Sequence, residues 1–331
     1  MERVVDFHTH CIPQGVAGYR AEGCARLEIE TPSCGQLYNG ERHYRTIDDR
    51  CWDVARRIGD MDERGLAMQV LSPIPVTNSY ASSPADGLAY ARLHNDGIAE
   101  MVRARPDRFA GLGAIPLQDV DAACGELSYL RRDLQLLGVE IGTNVAGREL
   151  DDPELVPFWE TCNALRAVIF IHPETAPGFE RHRANGLVGS AAYPSETGIV
   201  AAKLLLGGYL QRFPDLTIVL AHGGGTLAWL LPRIDRFWET GLAERKEPTE
   251  RPSLAARGFY CDTLTFDAVN LQLVAQRFGS DHLLVGSDYP FGVMEDPPGL
   301  VLGDTAFDEG TKDLIRAHTF RRLAAHVAGP A

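Results

Sequence analysis

The feature that most constrains this chain is a β/α alternation that repeats along its 331 residues. Eight short apolar runs rich in β-branched residues are separated by longer amphipathic stretches, the pattern of parallel strands joined by helices. Runs such as Ile218-Val219-Leu220 are apolar without alternation, as expected for a strand covered on both faces. The predicted strands are 4–8, 68–72, 109–115, 139–142, 168–172, 217–222, 258–262 and 283–288.

The stretches between the strands have helical periodicity. Several begin with a capping residue followed by proline, as at Ser83-Pro84 and Asp152-Pro153. Eight strands in strict alternation with eight helices predict a closed (β/α)8 TIM barrel, an α/β fold, built as a single domain over residues 1–331. The predicted helices are 52–64, 84–105, 120–136, 153–165, 195–212, 226–238, 266–278 and 305–326.

One connection departs from the repeat. Residues 11–47 are too many for a simple βα loop, and they are rich in Gly, Pro, Cys and charged residues. We expect this insertion after the first strand to form a lid or a small added sheet over the mouth of the barrel.

Charge and composition exclude several classes of protein. Lys and Arg total 32 against 45 Asp and Glu, and no basic stripe is present, so nucleic acid is not an expected partner. No apolar run is long enough to cross a bilayer, and the first residues lack the pattern of a secretion signal. The seven cysteines contain no CxxC pair, which favours reduced thiols. A soluble cytoplasmic protein is therefore expected.

Histidines and one aspartate stand at the ends of the predicted strands. His8 and His10 close the first strand, and a spacing of two puts both imidazoles on one face. His172 ends the fifth strand and Asp288 ends the eighth, at the edge where barrel active sites are built. An HxH pair alone is weak evidence, since such pairs also occur as ordinary core or surface residues. The convergence of four strand-end side chains predicts a metal site.

Three imidazoles and one carboxylate suit a borderline divalent cation such as Zn²⁺, with a position left open for water. Mn²⁺ or Fe²⁺ is also compatible with these ligands, because availability and geometry choose between them. The cation would lower the pKa of the water and supply a nucleophile at neutral pH.

His222 ends the sixth strand and is followed by three glycines, which let the backbone pass close to a ligand. We interpret it as a proton carrier rather than a fifth ligand, because an ordinary near-neutral imidazole pKa suits removal of a proton from metal-bound water. The alternative is that His222 only hydrogen-bonds behind the ligands.

With these residues in place, the chain resembles the ACMSD-like branch of the amidohydrolase superfamily, the group around 2-amino-3-carboxymuconate-6-semialdehyde decarboxylase. The resemblance runs from residue 6 to residue 291, and its last motif is specific to this branch. The matching motifs are Asp6-Phe7-His8-Thr9-His10, Ala114-Ile115-Pro116-Leu117-Gln118-Asp119, Leu150-Asp151-Asp152, Ile171-His172-Pro173, Ala221-His222-Gly223-Gly224-Gly225 and Val285-Gly286-Ser287-Asp288-Tyr289-Pro290-Phe291.

The resemblance implies a nonoxidative decarboxylase of a small unsaturated or aromatic carboxylic acid, as in the breakdown of aromatic compounds. It implies one Zn²⁺ held by His8, His10, His172 and Asp288, with His222 as the base that converts bound water to hydroxide. His222 and Asp288 are then the catalytic residues, and no organic cofactor is needed.

Two arginines match the family pattern for binding a carboxylate, which a guanidinium fork suits well. They are Arg45, ahead of Trp52-Asp53, and Arg233, in Leu231-Pro232-Arg233-Ile234-Asp235. In relatives the second arginine reaches the neighbouring subunit's site, which implies a functional homodimer.

The resemblance has a gap where the substrate is expected. Glu174 follows His172-Pro173, where the ACMSD type carries tryptophan. We predict that Glu174 donates a proton or a hydrogen bond to the substrate; the alternative is a solvated acid on a loop. Two other functions remain open at this point. The same metal hydroxide could serve a hydrolase or hydratase acting on a lactone, an amide, a carbon–carbon bond or a double bond, and a relative without catalysis could bind metal as a structural module.

Overall fold

The computed structural model describes residues 2–175, 179–182, 184–242 and 250–329. In chain order the strands are β1 (Val4–Cys11), β2 (Ala25–Thr31), β3 (Cys34–Asn39), β4 (Arg42–Asp48), β5 (Leu66–Pro73), β6 (Phe109–Gly113), β7 (Gly138–Ile141), β8 (Asn144–Val145), β9 (Arg148–Glu149), β10 (Val168–Ile171), β11 (Thr217–Leu220), β12 (Tyr260–Asp262), β13 (Leu283–Leu284) and β14 (Gly286–Tyr289). Within the described residues, nine parallel strands form one sheet, in the order β13-β12-β11-β10-β7-β6-β5-β1-β14. Five further strands form two small antiparallel sheets.

The sheet closes through its last strand, which is interrupted at Val285. β13 pairs with β12, and β14, two residues further on, pairs with β1. The backbone N–H of Phe7 donates to the Val285 carbonyl at 2.7 Å, which joins the two halves. The nine strands are therefore the eight predicted ones with the eighth divided, and the predicted TIM barrel is confirmed.

Helices follow the barrel strands, and side-chain caps define where several of them begin. Asp53, Asp119 and Asp267 each accept a hydrogen bond from the backbone N–H three residues later, which satisfies a donor that the helix itself cannot. In chain order the helices are α1 (Val54–Glu63), α2 (Pro84–Ala104), α3 (Val120–Arg132), α4 (Val156–Ala164), α5 (Tyr193–Leu206), α6 (Tyr209–Arg212), α7 (Leu227–Glu239), α8 (Pro252–Ala255), α9 (Ala268–Phe278), α10 (Glu309–Asp313) and α11 (Thr319–Ala328).

Two predicted helices differ in detail from those observed. The helix predicted at 195–212 is divided into α5 and α6, because Gly208 adopts φ 73° between them. The helix predicted at 305–326 begins at Glu309, where Asp308 caps it, and continues into α11 through five residues of π-helix.

The strands separate two apolar layers. Val168 and Phe170 face an inner cluster inside the barrel, whereas Ile169 and Ile171 face the outer cluster under the helices. α11 contributes Phe320 and other apolar side chains to the inner cluster. This alternation along each strand makes the barrel interior a packed core rather than a channel.

The predicted insertion forms a small sheet. β2, β3 and β4 are antiparallel, and Leu27, Leu37 and Ile47 from these strands share a buried cluster with Trp52 and Phe291. Because Phe291 lies three residues after Asp288, this packing attaches the small sheet at the carboxyl ends of the barrel strands. None of the helices in the described residues is long and apolar enough to span a membrane.

Candidate metal centre and active site

His8 and His10 project from the carboxyl half of β1 into the barrel. The pairing of β1 shifts register between Asp6 and Thr9 on one side, and between His8 and Thr9 on the other. Such an irregularity re-aims side chains near active sites. The Nε2 atoms of His8 and His10 lie only 3.1 Å apart, so both rings address the same point.

His172 and Asp288 complete the group. One ligand atom from each of the four residues lies within 4.8 Å of every other, and all four side chains are buried or nearly so. Asp288 Oδ1 is 3.2 Å from His10 Nε2 and 3.8 Å from His8 Nε2. The structure therefore brings together all four residues predicted to hold a metal.

The second nitrogen of each imidazole is already engaged, which fixes the orientation of the rings. Nδ1 of His8 lies 2.7 Å from Asp262 Oδ2, Nδ1 of His10 lies 2.9 Å from the Pro73 carbonyl, and Nδ1 of His172 lies 3.0 Å from the Pro173 carbonyl. These acceptors hold the proton on Nδ1 and leave the Nε2 lone pairs facing one another. His172 Nε2 is buried and has no hydrogen-bond partner among the described residues. Three converging lone pairs and a carboxylate fit a divalent cation.

Asp262, at the end of β12, connects the metal ligands with His222. Its carboxylate is fully buried and accepts the Nδ1–H of His8. The same carboxylate accepts the backbone N–H groups of His222, Gly223 and Leu264 at 2.8, 2.8 and 3.0 Å. One side chain thus holds a ligand ring and the turn that carries His222.

Burial and charge shift the pKa values of the group in opposite directions. Burial lowers the pKa of His8, but the hydrogen bond and charge of Asp262 outweigh it and raise that pKa to about 9. Burial and the neighbouring imidazoles hold the pKa of His172 well below its ordinary value. Burial opposes the charged form of Asp288, yet His10 and His8 together keep its pKa low. The site therefore favours a charged carboxylate beside a ligand imidazole that binds its proton tightly.

His222 faces the same centre from the turn after β11. Its ring centroid lies 5.0 Å from that of His172 and 5.3 Å from that of His8, and its Nδ1 has no hydrogen-bond partner among the described residues. Burial, followed by the charge of His8, lowers the pKa of His222 to about 4. This pKa lies below the near-neutral value used in the sequence interpretation, because neighbouring side chains surround the ring.

The glycines after His222 serve the turn. Gly223, Gly224 and Gly225 all have positive φ, and a Cβ on Gly225 would lie 2.0 Å from the Pro194 carbonyl. Glycine is therefore required at this position because the backbone packs closely against helix α5. The sequence alone instead predicts a close approach to a ligand.

A cavity of about 380 Å³ opens onto three of the four ligands, His10, His172 and Asp288, and onto His222. Arg45, on β4, lines it, and the Arg45 guanidinium lies over the ring of Phe291 at 4.0 Å. The Phe291 ring also stacks near the His10 ring, with centroids 5.5 Å apart. The small sheet thus delivers a guanidinium to the cavity beside the metal ligands.

Glu174 lies in the wall of this cavity together with Tyr44 and Tyr193. Burial raises the pKa of Glu174 to about 7. The Tyr193 hydroxyl donates to the Glu174 backbone carbonyl at 2.7 Å, which ties the segment after His172 to α5. The predicted contact residue therefore faces the space where a substrate would lie.

Arg233 lies elsewhere in this chain. It is exposed on α7, its guanidinium lies 5.1 Å from the Phe237 ring centroid, and it does not line the cavity. Within one chain the structure does not bring Arg233 together with Arg45.

Comparison with known proteins identifies the family. A family model described as "Amidohydrolase" matches residues 5–321. The chain belongs to this amidohydrolase family. It is 33% identical over 316 residues to the 2-amino-3-carboxymuconate-6-semialdehyde decarboxylase of Dictyostelium discoideum, with 93% of this chain and 88% of that protein covered. The resemblance stated from the motifs is confirmed, and relatives of this amidohydrolase are named as decarboxylases.

Solved structures agree on the fold. The 5-carboxyvanillate decarboxylase of Sphingomonas paucimobilis superimposes with a TM-score of 0.81 at 23% identity, over 97% of this chain and 98% of that one. A dihydroxybenzoic acid decarboxylase of a Polaromonas species, with bound manganese and the inhibitor 2-nitroresorcinol, gives a TM-score of 0.78 at 22% identity, over 98% and 97%. Both solved structures share the barrel described above.

Several residues at the site were not predicted. Asp262 was placed only as a strand end, although an acid that closes an apolar strand carries the same signal as Asp288. Glu140, on β7, is fully buried, its Oε2 lies 3.5 Å from His10 Nδ1, and burial raises its pKa to about 7. No spacing in the sequence pairs Glu140 with His10, since the two lie on strands far apart in the chain.

Proposed function

We propose that this amidohydrolase is a metal-dependent nonoxidative decarboxylase of a small unsaturated or aromatic carboxylic acid. The observation that carries the proposal is the position of Arg45. Arg45 lines the same cavity as His222 and three of the four ligands, His10, His172 and Asp288. A carboxylate held there would lie beside the metal centre.

We propose Zn²⁺ as the cation held by His8, His10, His172 and Asp288, with Mn²⁺ or Fe²⁺ able to take its place. Three imidazole nitrogens and one carboxylate suit each of these ions, and no organic cofactor is required. When bound, the cation would act as a Lewis acid and lower the pKa of a coordinated water.

The remaining side chains account for binding and proton movement. Arg45 would bind the substrate carboxylate through charge-assisted hydrogen bonds, and Tyr44, Tyr193 and Phe291 would enclose a flat, unsaturated skeleton. Glu174, with its raised pKa, would hydrogen-bond a polar substituent. These contacts would orient the bond to the departing carboxylate.

His222 would carry a proton. Its lowered pKa keeps the imidazole neutral at neutral pH, so Nδ1 is free to accept a proton. The Asp262 and Asp288 carboxylates raise that pKa in opposition to burial, and they would stabilise the imidazolium once it forms. Asp288 would therefore act both as a ligand and as a catalytic residue.

We also propose a homodimer in which Arg233 reaches the partner's cavity. Its exposed position on α7, next to the exposed Trp229 and Phe237, supports a surface that a second copy covers. We further propose that the chain forms a single domain in which the 11–47 insertion acts as a lid over the cavity. The substrate would arise in the breakdown of aromatic compounds.

Product analysis tests the function. The metal-loaded protein is incubated in ¹⁸O-labelled water with a panel of aromatic and unsaturated acids. The masses of the products are then measured by mass spectrometry. We expect a product lighter by one CO₂. A ring-opened or hydrated product with intact carboxylate would instead support a hydrolase or hydratase, and bound metal without turnover of any acid would support a non-catalytic relative.

A further inference from the structure

Arg57, on α1, is a charged side chain next to the metal ligands that has no exposed surface. Its Nη1 donates to the His10 carbonyl at 2.8 Å and to the Arg50 carbonyl at 2.9 Å. Its Nη2 donates to Thr9 Oγ1 at 3.0 Å, and its Nε donates to Gln69 Oε1 at 3.1 Å. One guanidinium therefore binds the end of β1 at two consecutive residues.

The same guanidinium reaches the strand that carries the fourth ligand. Its Cζ lies 4.8 Å from the centroid of the Tyr289 ring, and Tyr289 directly follows Asp288. Thr9 stands between the two ligand histidines of β1, and its Oγ1 donates onward to the Val70 carbonyl on β5 at 2.7 Å. Arg57 thus contacts the immediate neighbours of three of the four ligands.

A buried guanidinium is costly unless its donors are satisfied, and every hydrogen bond of Arg57 in the described part of the chain goes to a neutral acceptor. No ion pair of Arg57 among the described residues explains its burial. What the planar fork supplies is geometry, because it sets α1, β1, β5 and the Tyr289 ring at fixed distances and angles.

We propose that Arg57 is a positioning residue of the metal centre, which holds the ligands of β1 and β14 in the arrangement that binds the cation. The proposal rests on the metal site of the proposed function and not on the reaction performed there. Groups behind metal ligands typically change metal affinity about 10-fold to 100-fold when they are altered.

The test compares two substitutions of arginine by lysine, which keep the charge and lose the fork. Arg57→Lys alters the contacts described above. Arg131→Lys is the matched control, because Arg131 also donates to backbone carbonyls, those of Leu136, Leu165 and Val327, but beside the amino ends of β7 and β10. For each variant we would measure the unfolding midpoint in urea, Zn²⁺ affinity by competition with a chromophoric chelator, and the visible spectrum of the Co²⁺-loaded protein.

We expect both variants to lose stability, and only Arg57→Lys to lose about 10-fold or more in Zn²⁺ affinity and to change the Co²⁺ spectrum. Wild-type affinity and spectrum in a folded Arg57→Lys would overturn the proposal. Equal losses of affinity in both variants would also overturn it, because the effect would then follow general stability.

If Arg57→Lys does not fold, Gln69→Met removes only the Nε acceptor, on β5 and away from the ligands. We expect a smaller loss of Zn²⁺ affinity in the same direction, and unchanged affinity and Co²⁺ spectrum would contradict the proposal. Since metal binding is measured without substrate, a wild-type protein that binds Zn²⁺ but releases no CO₂ would overturn the proposed function alone.

Discussion

Asp262 offers the sharpest test of how the site is held together. Asp262→Asn keeps the size of the side chain and replaces one acceptor oxygen by an NH₂ group. Four hydrogen bonds now reach the carboxylate, from His8 Nδ1 and from three backbone N–H groups. Oδ2 accepts from His8 and from the His222 N–H, and Oδ1 accepts from the Gly223 and Leu264 N–H groups. An NH₂ group at the Oδ1 position would oppose two backbone donors, so we expect it at the Oδ2 position, where it faces His8 and one backbone N–H.

The consequence for His8 is a change of tautomer. A donor facing Nδ1 would leave the proton on Nε2, the atom that faces His10 and Asp288. We expect metal affinity to fall about 10-fold to 100-fold, equivalent to about 1.4 to 3 kcal/mol. Separately, the buried backbone N–H left without an acceptor would lower the free energy of unfolding by about 1 to 3 kcal/mol.

The pH dependence of metal binding should change as well. The pKa of His8 is raised to about 9 in the metal-free protein, so a proton competes with the cation below that pH. Affinity in the wild type should therefore rise with pH up to about 9. Without the Asp262 charge, the pKa of His8 should fall and the dependence above neutral pH should flatten.

Chelator competition across pH 6 to 9 measures both effects. The matched control is Asp281→Asn, since Asp281 Oδ1 also lies near an imidazole, His282 Nδ1, at 3.1 Å, but in an exposed pair away from the cavity. The control should bind metal as the wild type does. An Asp262→Asn protein with wild-type affinity and an unchanged pH profile would refute the reasoning.

Three further predictions concern substrate, fold and metal. Arg45→Ala should lower kcat/KM for the acid that is decarboxylated about 10-fold to 100-fold, because charge-assisted hydrogen bonds to the carboxylate are lost. Arg42→Ala, at an exposed position of the same strand, should leave kcat/KM unchanged. Full activity in Arg45→Ala would contradict the role of Arg45 in binding the carboxylate. Burial lowers the pKa of His94 to about 4. Between about pH 6.5 and pH 4 the unfolded chain therefore binds a proton at this residue that the folded chain does not. The free energy of unfolding should fall by up to about 3 kcal/mol as the pH falls through that range. Urea unfolding at pH 7 and pH 5 should show a smaller acid loss in His94→Gln, and an equal loss would contradict this. Removal of metal with a chelator should lower the thermal midpoint and Zn²⁺ or Mn²⁺ should restore it, whereas an unchanged midpoint would speak against a resident cation.

The strand-end residues could be predicted because a parallel barrel places the carboxyl ends of all its strands at one edge. His8, His172 and Asp288 needed only correct strand assignments to be grouped. Arg45 and Arg233 needed the family resemblance, since nothing in their local spacing distinguishes them from surface arginines.

The partners of these residues could not be predicted in the same way. Asp262 and Arg57 act through hydrogen bonds between elements distant in the chain, and the choice of partner depends on side-chain orientation rather than on spacing. The lowered pKa of His222 likewise depends on burial by neighbouring strands and loops. The interruption at Val285 has no local signal, because it arises where the eighth strand changes neighbours to close the barrel.

The central claim is that a single cation at His8, His10, His172 and Asp288 supports decarboxylation. Its most direct test is a titration of metal-free protein with Zn²⁺ or Mn²⁺ while CO₂ release from an acid substrate is followed. The account predicts no release without metal and a linear rise to a plateau at one equivalent per chain. Release from the metal-free protein, or consumption of the acid by the loaded protein without CO₂, would contradict it.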